Sequence, residues 1–273
     1  MYTLRDEDGG RDLVIEHGLK QLEDQFSTIR KKKLRRQLEL DRNEHFFMCA
    51  FMAAIHVRTK SQLKHLSNAW RHPLKMMEDM AEAMKTATHE QRQTMADLSR
   101  LHGTEEGLTM GEVREMVDNP VGTILVPMIQ AEIDHLPKLD FAVFYTDTSP
   151  GFITSDAPCV WSDPEAYKRP PLYRIPALGY KTIEIILPIS PAQCVFLNRR
   201  GMTGYQYAPA DIVREANSRI RFGASEYYAV NQNIVDDFWF DPGIEPEDSW
   251  EKQQARNKKV PKTPERFIRE SEK

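Results

Sequence analysis

Thr154-Ser155-Asp156 is the densest set of chemically useful side chains in the sequence, standing where the run Phe152-Ile-Thr gives way to a turn closed by Pro158. Strand ends on a rigid sheet are common seats for working groups. An aspartate there can serve as general base, metal ligand or acceptor for a substrate hydroxyl. It can equally accept backbone amides two residues on, in an ordinary Asx turn. Ser155 as a nucleophile needs a histidine base and an orienting carboxylate, and no Gly-x-Ser-x-Gly elbow surrounds it.

Arg58 ends an otherwise apolar stretch, so its guanidinium needs an anion. Two readings stand side by side. It forms a bidentate ion pair with Asp156, or it clamps a phosphate or carboxylate in a cleft. His45, Cys49, Met52 and His56 recur at steps of four, three and four, which sets them on one helix face. The two histidines are about 16 Å apart along the axis at 1.5 Å per residue, too far for one metal ion. Only His56 is kept as a site residue; its plainer reading is a satisfied histidine at the core boundary. The dense basic run of Arg30, Lys31, Lys32, Lys33, Arg35 and Arg36 can meet nucleic-acid phosphates, or simply be a solvated helix end favoured by the helix dipole. Neither Gly-x-Gly-x-x-Gly, nor a Walker loop, nor His-Glu-x-x-His occurs, so no cofactor or metal is specified.

The elements that must position these groups follow from hydrophobic period. Leu19, Leu22, Phe26 and Ile29 form a helical stripe. Asp41-x-x-Glu44 and Thr109-x-x-Glu112 have the form of capping boxes. Behind the first of these, Phe46 to Ile55 is apolar almost all round and belongs inside a bundle. Pro73 is expected to restart the chain as a first-turn proline, and Met76, Met77, Met80 and Met84 to pack in a core. Asn119-Pro120 ends a helix, and residues 121–135 supply another.

After Pro137 the period turns strand-like in Leu139–Tyr145, Gly151–Thr154, Thr182–Leu187 and Gln193–Leu197. Residues 161–179 carry Pro164, Pro170, Pro171 and Pro176 and read as an ordered excursion or flap. Pro209 to Ile220 returns to helix, and a last strand lies near 227–231. The expected fold is α+β: a helical bundle at 11–137 packed on a mostly antiparallel sheet with one helix at 138–240, the two forming one continuous unit. Residues 245–273 form a charged tail in which 15 of 29 side chains are charged.

Composition bounds the rest. The 273 residues hold 37 strong bases against 41 acids, a net charge of −4, with 40% hydrophobic residues, as in an ordinary globular chain. No run of about twenty apolar residues occurs and the first residues are polar, so no membrane partner and a cytoplasmic location are expected. Three cysteines without a Cys-x-x-Cys pair argue against a disulfide framework.

The combination of Ile15-Glu16 and Leu22-Glu23 in a long helix, Arg58-Thr59 after a buried one, Phe152-Ile-Thr-Ser-Asp-Ala-Pro158, Leu187-Pro-Ile-Ser-Pro191 and the helical Asn217 resembles the bacterial family of domain of unknown function 4238, over about residues 13–231. That family usually opens on a histidine-containing His-x-Val-Pro segment, which residues 1–12 do not match; any role of that histidine is absent here or the chain is a shortened member. The family's usual proline after Arg-Thr is Lys60 here, which is expected to let the helix run on. The resemblance implies a fold more than a reaction.

The functional expectation is a small hydrolase of the toxin or defence type acting on a phosphodiester or nucleic acid. Asp156 is base or metal ligand, Arg58 the anion clamp, Ser155 and His56 further catalytic groups, and Thr154 and Asn217 binding residues. The alternative is a non-catalytic module that recognises a protein partner through the proline-rich segment, the methionine face or the tail.

Overall fold

The computed structural model describes residues 4–5, 11–101, 107–232 and 234–240, with backbone alone at 4–5, 11–12 and 98–101. The charged tail expected at 245–273 lies outside the described residues. The fold is α+β. Strands β1 (Leu4–Arg5) and β2 (Arg11–Asp12) pair ahead of α1 (Val14–Lys32) and α2 (Arg42–Val57). Then come α3 (Lys60–Thr86), α4 (His89–Leu101), α5 (Met110–Asp118), α6 (Pro120–Thr123) and α7 (Leu125–Ile133). The remaining elements are β3 (Asp140–Tyr145), β4 (Thr154–Ser155), β5 (Val160–Ser162), β6 (Glu184–Ser190), β7 (Gln193–Asn198), β8 (Gly204–Tyr207), α8 (Ala210–Gly223) and β9 (Tyr228–Ala229).

Both expected capping boxes form. Asp41 Oδ1 accepts from Glu44 N–H at 2.9 Å while Glu44 Oε2 accepts from Asp41 N–H at 2.9 Å, so two orphan amides at the start of α2 are satisfied. Thr109 and Glu112 do the same for α5. Thr59 caps α3 through Gln62 N–H, so α2 stops and a new helix begins at Lys60 instead of one helix running on. Pro73 does not restart the chain either. It lies inside the 27-residue α3, where the carbonyl it leaves unpaired belongs to the exposed Ala69 and can be hydrated. The methionine stripe on that helix is not core: Met76 and Met80 are about half exposed and Met77 and Met84 only partly buried, although α5 lies beside this part of α3 through the Arg114–Glu78 ion pair at 2.8 Å.

Five strands form one sheet in the order β5-β6-β7-β3-β8, antiparallel throughout except for the parallel β3–β8 pair. Strand β8 is not among the expected strands, and the predicted strand 151–154 shrinks to β4, which pairs with β9 in a separate two-stranded sheet. Period-two alternation splits the central strands cleanly. Val143, Ile185, Leu187, Val195 and Leu197 face Met48, Cys49 and Met52 of α2 and Ile29 of α1. Ala142, Ile186, Cys194 and Phe196 face Val213, Ala216 and Ile220 of α8. The sheet is therefore covered on both faces, by α1 and α2 on one and α8 on the other. Phe26 of α1 stacks on Phe51 of α2 at 4.0 Å between centroids. A third cluster joins Val57, Leu63 and Leu125 of α2, α3 and α7.

Asn217 ties the second face together. Buried on α8, it accepts from Ile153 N–H at 2.9 Å and donates to Gly151 O at 2.8 Å, holding the chain that leads into β4. Gly151 has φ +77°, and a Cβ there would collide with the carbonyl oxygen of Pro191. Asn217→Ala leaves a buried donor and a buried acceptor unpaired, at about 1–3 kcal/mol for each group. The expected loss, about 2–4 kcal/mol, is read from the urea midpoint at unchanged m-value.

Candidate functional site

The predicted groups divide between two places. Asp156 accepts from the backbone amides of Ser225 at 3.1 Å, Glu226 at 3.0 Å and Tyr227 at 3.5 Å, while its own N–H donates to Tyr227 O. Its carboxylate thus binds the turn after α8. Ser155 is buried, and its hydroxyl accepts from Ala157 N–H at 3.2 Å. Thr154 pairs with Ala229 across β4–β9 and lines a separate hollow of about 300 Å³.

Arg58, at the C-terminal cap of α2, donates to Glu23 Oε1 of α1 at 2.6 Å. The expected Arg58–Asp156 ion pair does not form, since α1 supplies a nearer carboxylate and the amides at 225–227 occupy the aspartate. The basic run is likewise partly engaged: Arg30 donates to Ile189 O at 3.1 Å and Lys33 stands 3.3 Å from Glu44, while Lys31, Lys32, Arg35 and Arg36 reach the surface.

His56 is the predicted residue that meets a large cavity. It stands on the last turn of α2, its Nδ1 2.7 Å from Oε1 of Glu132 on α7 and its ring stacked on Trp161 of β5, with centroids 4.3 Å apart and planes 14° apart. Helix α2, helix α7 and the sheet edge therefore converge on one imidazole. The cavity they border holds about 720 Å³. His65 of α3 and His135 also line it, Ile175 and Leu178 come from the proline-rich excursion, and Phe222 comes from α8. Ala157 and Ser225, held by the Ser155 and Asp156 turn contacts, complete part of the wall.

Glu132 is buried, with only 4% of its side chain exposed, and its second oxygen has no hydrogen-bond partner among the described residues. Burial pushes its carboxyl above the usual glutamate range, and the hydrogen bond from His56 pulls the other way. In the neutral imidazole beside an ionised carboxylate, Nδ1 carries the proton and donates to Oε1, and Nε2 keeps a free lone pair. No hydrogen bond to Nε2 is made among the described residues. Nor do any three His, Cys, Asp or Glu side chains among them stand close enough to hold a metal ion. Cys159, also on this wall, is held protonated by burial and by the negative charge of Glu132.

The family model described as protein of unknown function (DUF4238) matches residues 1–233. The chain belongs to this family. The DUF4238 match takes in residues 1–12, which the motifs left outside, and includes every residue of the His56 cavity. No curated protein and no solved structure matches the chain. No described helix is long and apolar enough to cross a membrane.

Sequence reasoning missed Glu132 and Trp161. A signal for Glu132 exists: it sits seven residues after the buried Leu125 and three after Ile129, which packs on the core, so helical spacing turns a carboxylate toward apolar surroundings. Trp161 carried none, because the short strand β5 falls in the stretch read as an excursion.

Two measurements check this electrostatic account. A carboxyl whose folded value is raised stabilises the fold fully below its unfolded value, near 4.5, and loses that contribution as pH rises through the folded value. The Tm of wild type relative to Glu132→Gln should therefore fall as pH rises across that window; a flat difference contradicts burial of an ionisable Glu132. Burial likewise pushes the Cys49 and Cys194 thiols up to about 12. All three cysteines should stay unreactive to a disulfide reagent at neutral pH until the chain is unfolded.

Proposed function

We propose that this chain is a hydrolase in which His56 is the general base and Glu132 the residue that orients it. The observation that carries the reading is the 2.7 Å His56–Glu132 contact on the wall of a cavity of about 720 Å³. In the proposed step, Nε2 takes a proton from water as the water oxygen bonds to the carbonyl carbon of an ester. The carbon–oxygen bond to the leaving alcohol then breaks, and the imidazolium returns the proton to the leaving oxygen. The buried carboxylate keeps the ring in the tautomer that the step requires and offsets its transient positive charge.

The substrate reading moves away from the phosphodiester expected from the motifs. Neither lysine nor arginine lines the cavity among the described residues, and Arg58 is engaged with Glu23. An uncharged acyl ester suits walls built from Met128, Trp161, Ile175, Leu178 and Phe222. Asp156 and Arg58 become positioning residues: one fixes the Ser225 wall, the other ties the end of α2 to α1.

A second reading, a non-catalytic binding module, is favoured by one observation: neither Ser155 nor Cys159 is free to act as a nucleophile, one buried in a turn contact and the other held protonated. The two readings part on p-nitrophenyl butyrate. His56→Gln should lower kcat by about 10²–10⁴ while Tm stays within a few degrees, and Glu132→Gln should lower kcat with KM little changed. Saturable turnover that survives His56→Gln removes the hydrolase reading. No turnover, with saturable binding of an apolar dye, favours the binding module.

A further inference from the structure

The excursion between β5 and β6 is ordered by its own contacts. The carboxylate of Asp163, whose side chain is fully buried, accepts from Arg169 and from Thr182 Oγ1, the latter at 2.7 Å, and Glu165 N–H adds a bond at 3.0 Å. The Arg169 guanidinium also lies 3.8 Å over the Tyr180 ring. This clip closes the base of the loop. Its tip, by contrast, presents apolar groups to water: Leu172 is 80% exposed, Ile175 66% and Tyr173 57%. Phe222, at the end of α8, is 92% exposed. Large apolar side chains left so open need a reason when they gather in one place.

Here they gather at a mouth. Ile175 and Phe222 both line the His56 cavity, so the exposed lip and the apolar interior form one continuous surface from two separate elements. The charge pattern is one-sided as well. From 166 to 182 the chain carries Lys168, Arg169, Arg174 and Lys181 and no acid, in a protein whose net charge is −4. Arg169 is neutralised inside the clip, Lys168 shares Glu165 at 3.1 Å and Arg174 donates Nε to Arg169 O at 2.9 Å, while Lys168 and Lys181 keep their side chains at the surface.

We infer that this lip docks peripherally on an anionic lipid surface, with Leu172, Tyr173, Ile175 and Phe222 at the boundary between headgroups and acyl chains and the basic side chains against the headgroups. Apolar and aromatic tips flanked by lysine and arginine are what an interfacial contact of this kind needs. A protein partner would explain the lip and not its continuation into the cavity, whereas an acyl chain entering from a lipid surface meets both. The contact needs no spanning helix. It does not rest on the hydrolase reading, since a cavity that only holds an acyl group would be served by the same lip.

Flotation of the full chain with vesicles tests the inference. Vesicles of mixed phosphatidylcholine and phosphatidylserine should carry the protein, those of phosphatidylcholine alone should carry several-fold less, and high salt should weaken the first. The double substitution Leu172→Ala with Ile175→Ala should lower partitioning about tenfold or more, and Lys181→Glu should lower it on anionic vesicles only. All three side chains stand outside the clip, so far-ultraviolet circular dichroism and Tm should match wild type. His56→Gln should float as wild type does, which separates this inference from the catalytic one. Failure to float with anionic vesicles, undiminished flotation of the double variant, or tighter retention by single-stranded RNA than by vesicles overturns it.

Discussion

The structure depends on burying a stretch of helix that has no polar side. From Met48 to Ile55 helix α2 is apolar all round, so this stretch is stable only where every face meets another apolar surface. Helix α1, helix α7 and one face of the sheet supply those surfaces, and Met48, Cys49, Met52 and Val57 are fully enclosed as a result. The same demand sets where chemistry can occur. After the polar first turn, polar side chains return only at the C-terminal end of α2, and there His56 and Arg58 emerge on different sides.

Those two sides have different fates because of what the neighbouring helices carry. Arg58 meets Glu23 on the partly exposed side and becomes a tie between helices. His56 meets Glu132, a carboxylate that α7 carries into the interior, and Trp161 covers the imidazole face. A buried carboxylate with a single partner is costly to maintain, which burial records as a raised pKa. This carboxylate lies on the wall of the cavity of about 720 Å³.

The second face of the sheet shows how a motif with catalytic composition serves architecture. Thr154-Ser155-Asp156 joins β4 to the turn after α8, with the serine and the aspartate both binding backbone amides. Asn217, expected to bind ligand, completes the same fastening from within α8. These residues shape the cavity from behind, because the turn that Asp156 holds delivers Ser225 to its wall.

Local patterns in the sequence determined the α+β class, the two capping boxes, the apolar α2, the central strands β3, β6 and β7, and α8, since hydrophobic period and side-chain-to-amide reach act within a few residues. The same locality explains the misses at Pro73, at β8 and at the methionines of α3: whether a proline is tolerated, an edge strand is paired or a stripe is covered depends on what lies across from it. Family membership was also legible, because motif spacing survives in one dimension. Which acid meets which base was not. Glu132 lies 76 positions from His56, and Glu23 lies 35 from Arg58. Only packing α1, α2 and α7 around a common core brings such groups within hydrogen-bond distance, so the tertiary structure alone chose His56 over Asp156 as the group that faces the cavity.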